Sequence, residues 1–300
     1  MKTIHIHSCP ICKSQDSKLL LKGKDHFATK ELFNIEKCES CGFLFTQDFP
    51  SETDIGSYYK SENYISHSDS QKGFINNLYH IVRKYMLKSK AKLVEKFSTE
   101  KETLLDFGAG TGYFANEMKK RGWQVYAIEK NEQARSFIKE NWDIDAQGDN
   151  SLLELPSHSF HVITLWHVLE HLENLNEVVQ QLHTLLQPDG TLVVALPNAT
   201  SYDAKCYQSF WAAYDLPRHL WHFTPQTFEL LASRHGFKLI KTKRMPFDVF
   251  YISLLSEKYR GKPLGFLRGF FIASICCLLS VYNIKNTSSL IYVLKKMKPS

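Results

Sequence analysis

Apolar positions follow two rhythms along this chain. Leu19, Leu20 and Leu21, then Phe33 and Ile35, form short runs that predict the strands of a hairpin. A polar stretch holding Tyr58, Tyr59, Tyr64, Ser66, His67 and Ser68 follows, and its tyrosines are read as ordinary packing residues first and as the lining of a substrate entrance second. Ile75, Leu78, Ile81, Val82, Tyr85, Met86, Leu93 and Val94 then recur at helical spacing and predict a helix packed on what comes next. Beyond residue 101 short buried-type runs alternate with amphipathic stretches. Strands are predicted at 103–106, 124–129, just before Asp149, 160–165, 191–195, 237–243 and 289–294. Helices are predicted at 113–121, 131–141, 174–186 behind Asn174, and 224–236, where Thr224-Pro225 supplies an N-cap and a proline at N1. The tetrapeptide 187–190 reads as a turn. Such alternation implies an α/β fold, a Rossmann-like seven-stranded mostly parallel sheet with helices on both faces.

Three hundred residues, 43% of them hydrophobic and 23% charged, suffice for one such domain and a small appendage. The boundaries read as 1–50 for an N-terminal module, 51–100 for linker and helix, and 101–300 for the main domain with a helical insertion at 246–286. A net charge of +6 favours anionic partners only weakly, with one modest cluster at Lys258, Arg260, Lys262 and Arg268. The first residues lack an apolar signal core, so a cytoplasmic protein is expected.

Four of the seven cysteines fall into two pairs, Cys9/Cys12 and Cys38/Cys41. Each CxxC lets two thiolates reach one ion from a tight turn, and two such turns complete a tetrahedron. A zinc ribbon is therefore expected over 1–50. About fifty residues bury too little apolar surface to fold alone, which makes the metal structural. Four thiolates also leave no open position for catalysis.

The sharpest signal is Thr103-Leu-Leu-Asp-Phe-Gly-Ala-Gly-Thr-Gly-Tyr-Phe114, a buried strand ending at Asp106, a loop with Gly108, Gly110 and Gly112, and a helix. Dinucleotide folds require GxGxxG, whereas here the third glycine comes one position early. DxGxGxG resembles the first motif of class I S-adenosylmethionine-dependent methyltransferases, of the small-molecule, quinone-modifying type, and the resemblance runs from about Lys101 to the C-terminus. It implies S-adenosylmethionine as cofactor and a last strand that inserts antiparallel. Asp106, Gly108, Gly110, Gly112 and Tyr113 would hold its amino-acid part and ribose, Glu129 the ribose hydroxyls, and Asp149 the adenine amino group, with Asp145 in competition. Trp166 and His167 would flank the methionine end. His167-Val-Leu-Glu-His171 also spells the HxxEH of an inverted zinc protease, but it follows a buried strand rather than lying within a long helix, so that reading is set aside. Glu170 and His171 are then packing residues.

Asp215-Leu-Pro-Arg-His-Leu-Trp-His-Phe-Thr-Pro225 resembles a PRHxxHF run of methyltransferases linked to small-molecule, quinone or sugar substrates. Loops at this edge of a parallel sheet contact substrate, and oxygen or carbon acceptors need a base. His219 and His222 are the candidates, with His167 third. Residues 264–282 are strongly apolar yet hold only fourteen uncharged residues in a row, too few to span a bilayer. A lid, a homodimer contact and an interfacial membrane helix are the readings. The leading function is methylation of a small molecule or glycan, lipid-linked acceptors included. Methylation of ribosomal or transfer RNA through the zinc ribbon is the rival, disfavoured because residues 1–45 lack a basic stripe. A non-catalytic scaffold that binds the cofactor is the third reading.

Overall fold

A computed structural model describes residues 2–59, 74–98 and 102–297, with side chains of the first helix described from His80. Tyr64, Ser66, His67, Ser68 and Lys101, and the side chains of Ile75 and Leu78, lie outside the described residues.

The chain opens with β1 (Thr3–Ile4), β2 (Ser17–Lys24), β3 (Leu32–Cys38), β4 (Leu44–Gln47) and β5 (Phe49–Pro50). The hairpin is present as β2 and β3, antiparallel with a register shift between Leu19 and Leu21. Helix α1 (Phe74–Phe97) leads into β6 (Thr103–Phe107), α2 (Tyr113–Lys120), β7 (Gln124–Ile128), α3 (Glu132–Trp142), β8 (Ala146–Gln147), β9 (Phe160–Trp166), α4 (Leu175–Leu185) and β10 (Leu186–Pro197). There follow α5 (Tyr202–Tyr207), β11 (Trp221–His222), α6 (Pro225–Arg234), β12 (Phe237–Arg244), α7 (Asp248–Arg260), α8 (Gly265–Tyr282) and β13 (Ser289–Lys296). The main sheet has seven strands in the order β12-β13-β10-β9-β6-β7-β8. Pairs among β6 to β10 are parallel, and β13 lies antiparallel to both β10 and β12, as expected. Thr224 caps α6 reciprocally with Thr227.

Two expectations change. Residues 187–190 belong to β10, whose pairing with β9 skips from Leu186 to Thr191, so the segment is a bulge in a continuous strand rather than a turn. More consequentially, 1–50 is not a separate unit. β11 pairs antiparallel with β4, Trp221 opposite Phe45 and His222 opposite Leu44, and completes the four-stranded sheet β11-β4-β3-β2. Cys9, Ile11, Phe43, Phe45 and Phe49 share one apolar core with Leu165, Leu196, Trp221, Phe223 and Tyr292. The Phe43 ring lies 5.3 Å from Phe223 and 6.1 Å from Trp221. Burying this surface against the domain supplies the apolar contact that so short a module lacks by itself.

Because Trp221 is fully buried and its Nε1 donates to Leu172 O at 2.6 Å, Trp221→Ala is expected to cost about 3–5 kcal/mol. Calorimetry should register the loss in one transition for module and domain together; two separate transitions in the parent chain would contradict a shared core.

Candidate functional site

The carboxyl ends of β6, β7 and β9 converge on the glycine loop. Gly108, Gly110 and Gly112 all take positive φ, at 74°, 55° and 73°. Their neighbours differ. A Cβ on Gly108 would meet Val168 Cγ2 at 2.3 Å, and one on Gly112 would meet Ile138 Cγ1 at 2.8 Å, whereas one on Gly110 would have nothing within 4 Å. The outer glycines thus let the loop pack, and the middle one leaves open space above the turn. The Gly108 and Ala109 amides donate to Ile128 O, tying the loop to the end of β7.

Glu129 follows β7 and accepts from Gly110 N at 2.7 Å and from Asn131 N at 2.8 Å. Asp106 is buried at the end of β6, accepting from Thr164 Oγ1 at 2.7 Å. Burial pushes its carboxyl up to about 6, against the opposing pull of the Thr164 hydroxyl and the Lys90 ammonium, with Glu129 adding to the rise. Lys90 comes from α1 and sits with its Nζ 4.3 Å from the centre of the Trp166 ring. Burial lowers its pKa, while Asp248 and Asp106 oppose that. Trp166 Nε1 is buried without a hydrogen-bond acceptor among the described residues. Asp149 opens a short 3₁₀ turn after β8, half-buried, while Asp145 is exposed and pairs with Lys139 at 3.0 Å. Tyr113 lies between the guanidinium of Arg83, 4.0 Å from its ring centre, and Trp142, 5.3 Å away.

The three histidines read as bases meet three different fates. His167, at positive φ, points Nδ1 at Glu170 Oε1 (3.3 Å) and Nε2 at Asp248 Oδ2 (3.2 Å). Both nitrogens face acceptors, so both carry protons. Burial alone would lower its pKa, but the two carboxylates outweigh it and raise the ring to about 9. A cation at neutral pH is not a base, which corrects that reading. His222 lies in the seam. Thr46 Oγ1 donates its one hydrogen to His219 O at 2.8 Å and sits 3.0 Å from His222 Nε2, which therefore donates in turn. Burial and the nearby His219 hold His222 near 3, so it is a neutral structural ring, a second correction. His219 directs Nδ1 at Ala213 O (2.8 Å), which leaves Nε2 as an acceptor. Its ring stands 4.5 Å from that of His171, and Glu170, His171 and His219 offer ligand atoms within 4.8 Å of one another. Glu170 and His171, expected as packing residues, are thus part of a polar cluster, and Glu170 Oε2 has no partner among the described residues.

The rest of the PRHxxHF segment is interior rather than an open substrate loop. Trp211, Tyr214, Trp221 and Phe223 are buried, and Arg218 donates to Tyr58 O and Asp215 and covers the Phe27 ring. Lys90 and Asp248 were missed by sequence reasoning. The signal for Lys90 was available, since it stands four residues from both Met86 and Val94 on the apolar stripe of α1. Nothing local marked Asp248.

In the N-terminal module the four cysteine Sγ atoms lie within 4.8 Å of one another. Lys13 and Gly42, each directly after a CxxC, both take positive φ, so the two knuckles turn alike. Four sulfurs at this mutual distance suit a tetrahedral zinc ion.

A family model described as a methyltransferase domain matches residues 79–242. An uncharacterized methyltransferase of Oceanobacillus iheyensis is 26% identical over 163 residues, 52% of this chain and 71% of the relative. A ubiquinone biosynthesis O-methyltransferase of Rickettsia felis is 26% identical over 146 residues, 45% of this chain and 59% of the relative, so the match spans under two thirds of that protein. The crystal structure of a SAM dependent methyltransferase from Archaeoglobus fulgidus matches in fold with a TM-score of 0.50 and 18% identity, over 75% of this chain and 100% of that one.

A carboxylate raised to about 6 makes the folded chain lose stability as pH climbs from the ordinary carboxylate range through 6, because the unfolded chain ionises first. Asp106→Asn removes that penalty and is expected to be the more stable protein by roughly 3 kcal/mol above about pH 7, with the gap closing toward about pH 4. Melting curves across this range check it; a gap that does not vary with pH would contradict the assignment.

Proposed function

The chain belongs to the methyltransferase-domain family and is an S-adenosylmethionine-dependent methyltransferase, and we propose that it methylates a small molecule or glycan at the crevice above the glycine loop, with a structural zinc in its N-terminal module. The observation that carries this is the convergence of Asp106, Glu129, the open face of Gly110 and Trp166 Nε1, unpaired among the described residues, at one sheet edge. These donors and acceptors fit the cofactor. Asp106 would take its ammonium group, Lys90 and Trp166 Nε1 its carboxylate, and Glu129 its ribose hydroxyls. Asp149 is assigned to the adenine amino group, and Tyr113 to closing the loop. S-adenosylmethionine supplies, when bound, a methyl group made electrophilic by a sulfonium.

This chain's residues then position the acceptor and remove its proton. His167, with both N–H groups committed to Asp248 and Glu170, holds those two carboxylates in place beside the acceptor. His219, whose Nδ1 is taken by the Ala213 carbonyl and whose Nε2 stands 3.9 Å from the Asp215 carboxylate, is the base. The ubiquinone-pathway relative supports a small-molecule acceptor. RNA is disfavoured by charge, since residues 1–50 hold seven Lys against six Asp and Glu. β4, moreover, is committed to the domain through β11.

Asp106 must be ionised to hold an ammonium, so cofactor affinity should rise with pH, being about tenfold weaker near pH 5 than near pH 7. Titration calorimetry reads this directly, and Glu129→Gln should weaken binding at every pH. His219→Gln is expected to cut turnover about 10²-fold or more while cofactor affinity stays unchanged. Methyl transfer from labelled cofactor to phenol, quinol and sugar acceptors tests the substrate class. Label entering only RNA would overturn it.

A further inference from the structure

Helix α8 is built inside out. In a soluble amphipathic helix the large apolar side chains face the core and polar ones face water. Here Gly265, Gly269, Ala273, Cys276 and Ser280 form the face that packs inward, four of them buried and Gly265 half-buried. Gly269 lies against α7 so closely that a Cβ would meet Leu254, Glu257 and the Ser253 carbonyl at 3.2–3.3 Å. Phe266, Leu267, Phe270, Phe271, Leu278 and Val281 point the other way, from 54% exposed at Phe270 to 69% at Phe266. Tyr282, at the last turn, is 91% exposed. A contiguous apolar surface of this kind on a folded chain marks a binding face.

Charge says what covers it. From Val249 to the C-terminus the sequence holds eight Lys and Arg and one acid, Glu257. Glu257 is buried and tied to Arg268 at 2.7 Å and Arg260 at 4.0 Å, and Asp248, the other acid of the hairpin, is half-buried and turned to His167, so α8 itself carries no acidic side chain. Lys258 and Lys262 stand exposed before the N-terminal end of α8, and Lys285 just beyond its C-terminal end. An 18-residue helix is about 27 Å long, so the apolar face is bracketed by cations at both ends. Two copies meeting through this face would bring apolar surface together with cations and no anions, and like charges across an interface oppose pairing.

We propose that the outward face of α8 docks in the plane of a membrane surface rich in anionic lipid headgroups, its phenylalanines and leucines among the upper acyl chains and its flanking lysines on the phosphates. By length and composition alone the 18-residue helix qualifies as a span, against the expectation from its shorter uncharged run. It lies along the surface instead, because its small-residue face is packed on α7 and the chain returns directly as β13 between β10 and β12. Asp248, in the first turn of α7, holds His167, so the same hairpin that meets the membrane also forms one wall of the site. Membrane docking does not depend on the acceptor class assigned above.

Flotation of the full, metal-loaded chain with vesicles tests this. Binding is expected to phosphatidylcholine vesicles containing phosphatidylglycerol, to fall with added salt, and to be far weaker on phosphatidylcholine alone. The exposed double substitution Phe270→Glu/Phe271→Glu should abolish flotation. Lys258→Glu/Lys262→Glu/Lys285→Glu should weaken it about a hundredfold or more. Both variants should keep S-adenosylmethionine affinity and melting temperature, which shows that the fold and the methyl-donor site are intact. No flotation with anionic vesicles overturns the proposal, as does a dimer in solution that the phenylalanine substitutions split into monomers while vesicle binding is absent in the parent.

Discussion

The backbone pairing of β4 with β11 is the contact on which the rest of the arrangement depends. It inserts Trp221 and His222, far along the chain, into a sheet begun by the cysteine module. Thr46 fastens the seam from one side through the His219 carbonyl and the His222 ring. On the other side Trp221 donates to Leu172, just past the loop that follows β9, and Leu220 N donates to Glu170 O. The module therefore braces the segment that follows β9. Its four sulfurs hold the turns that hold Phe43 and Phe45, and those rings hold Trp221. A metal held by these sulfurs would act on the domain through packing, since the cysteines lie in the module and not at the glycine loop.

Charge organises the crevice along the same lines. Two carboxylates with opposite tendencies lie close together, Asp106 raised by burial and Asp248 lowered, despite its own burial, by the His167 ring that faces it. Between them Lys90 and His167 supply the positive charge. Charged groups are costly to bury unless paired, and here His167 pairs with Asp248, Asp106 accepts from the Thr164 hydroxyl, and Lys90 lies over the Trp166 ring. α1, β6, β9 and α7 must all dock before the set is complete, so the site exists only in the assembled domain. The helical insertion contributes Asp248 to that set and presents its apolar back to the outside, which links one wall of the crevice to the surface patch.

Much of this was legible in the chain itself. Alternating short apolar runs and amphipathic stretches predicted the parallel sheet, because side-chain period follows from backbone geometry alone, while the inserted last strand followed from the resemblance. Glycine spacing after a buried strand placed the loop, since positive φ at Gly108, Gly110 and Gly112 excludes most other residues. CxxC spacing brought four sulfurs together, because two residues are what a knuckle needs to turn. Each of these is a property of neighbours in sequence.

Residue types in the PRHxxHF run could not reveal their fate in the same way. His219, His222 and His167 share one side-chain chemistry, and what separates a free acceptor, a neutral seam residue and a cation is Ala213, Thr46, Glu170 and Asp248. Thr46 lies 176 positions from His222, and Asp248 lies 81 from His167. Protonation and hydrogen-bonding roles are set by burial and by such distant partners, which come into contact only when elements pack. The local pattern determined the elements, the turns and the ligand spacings; the tertiary structure alone decided which histidine is charged, which lysine joins the site, and that the cysteine module and the domain are one core.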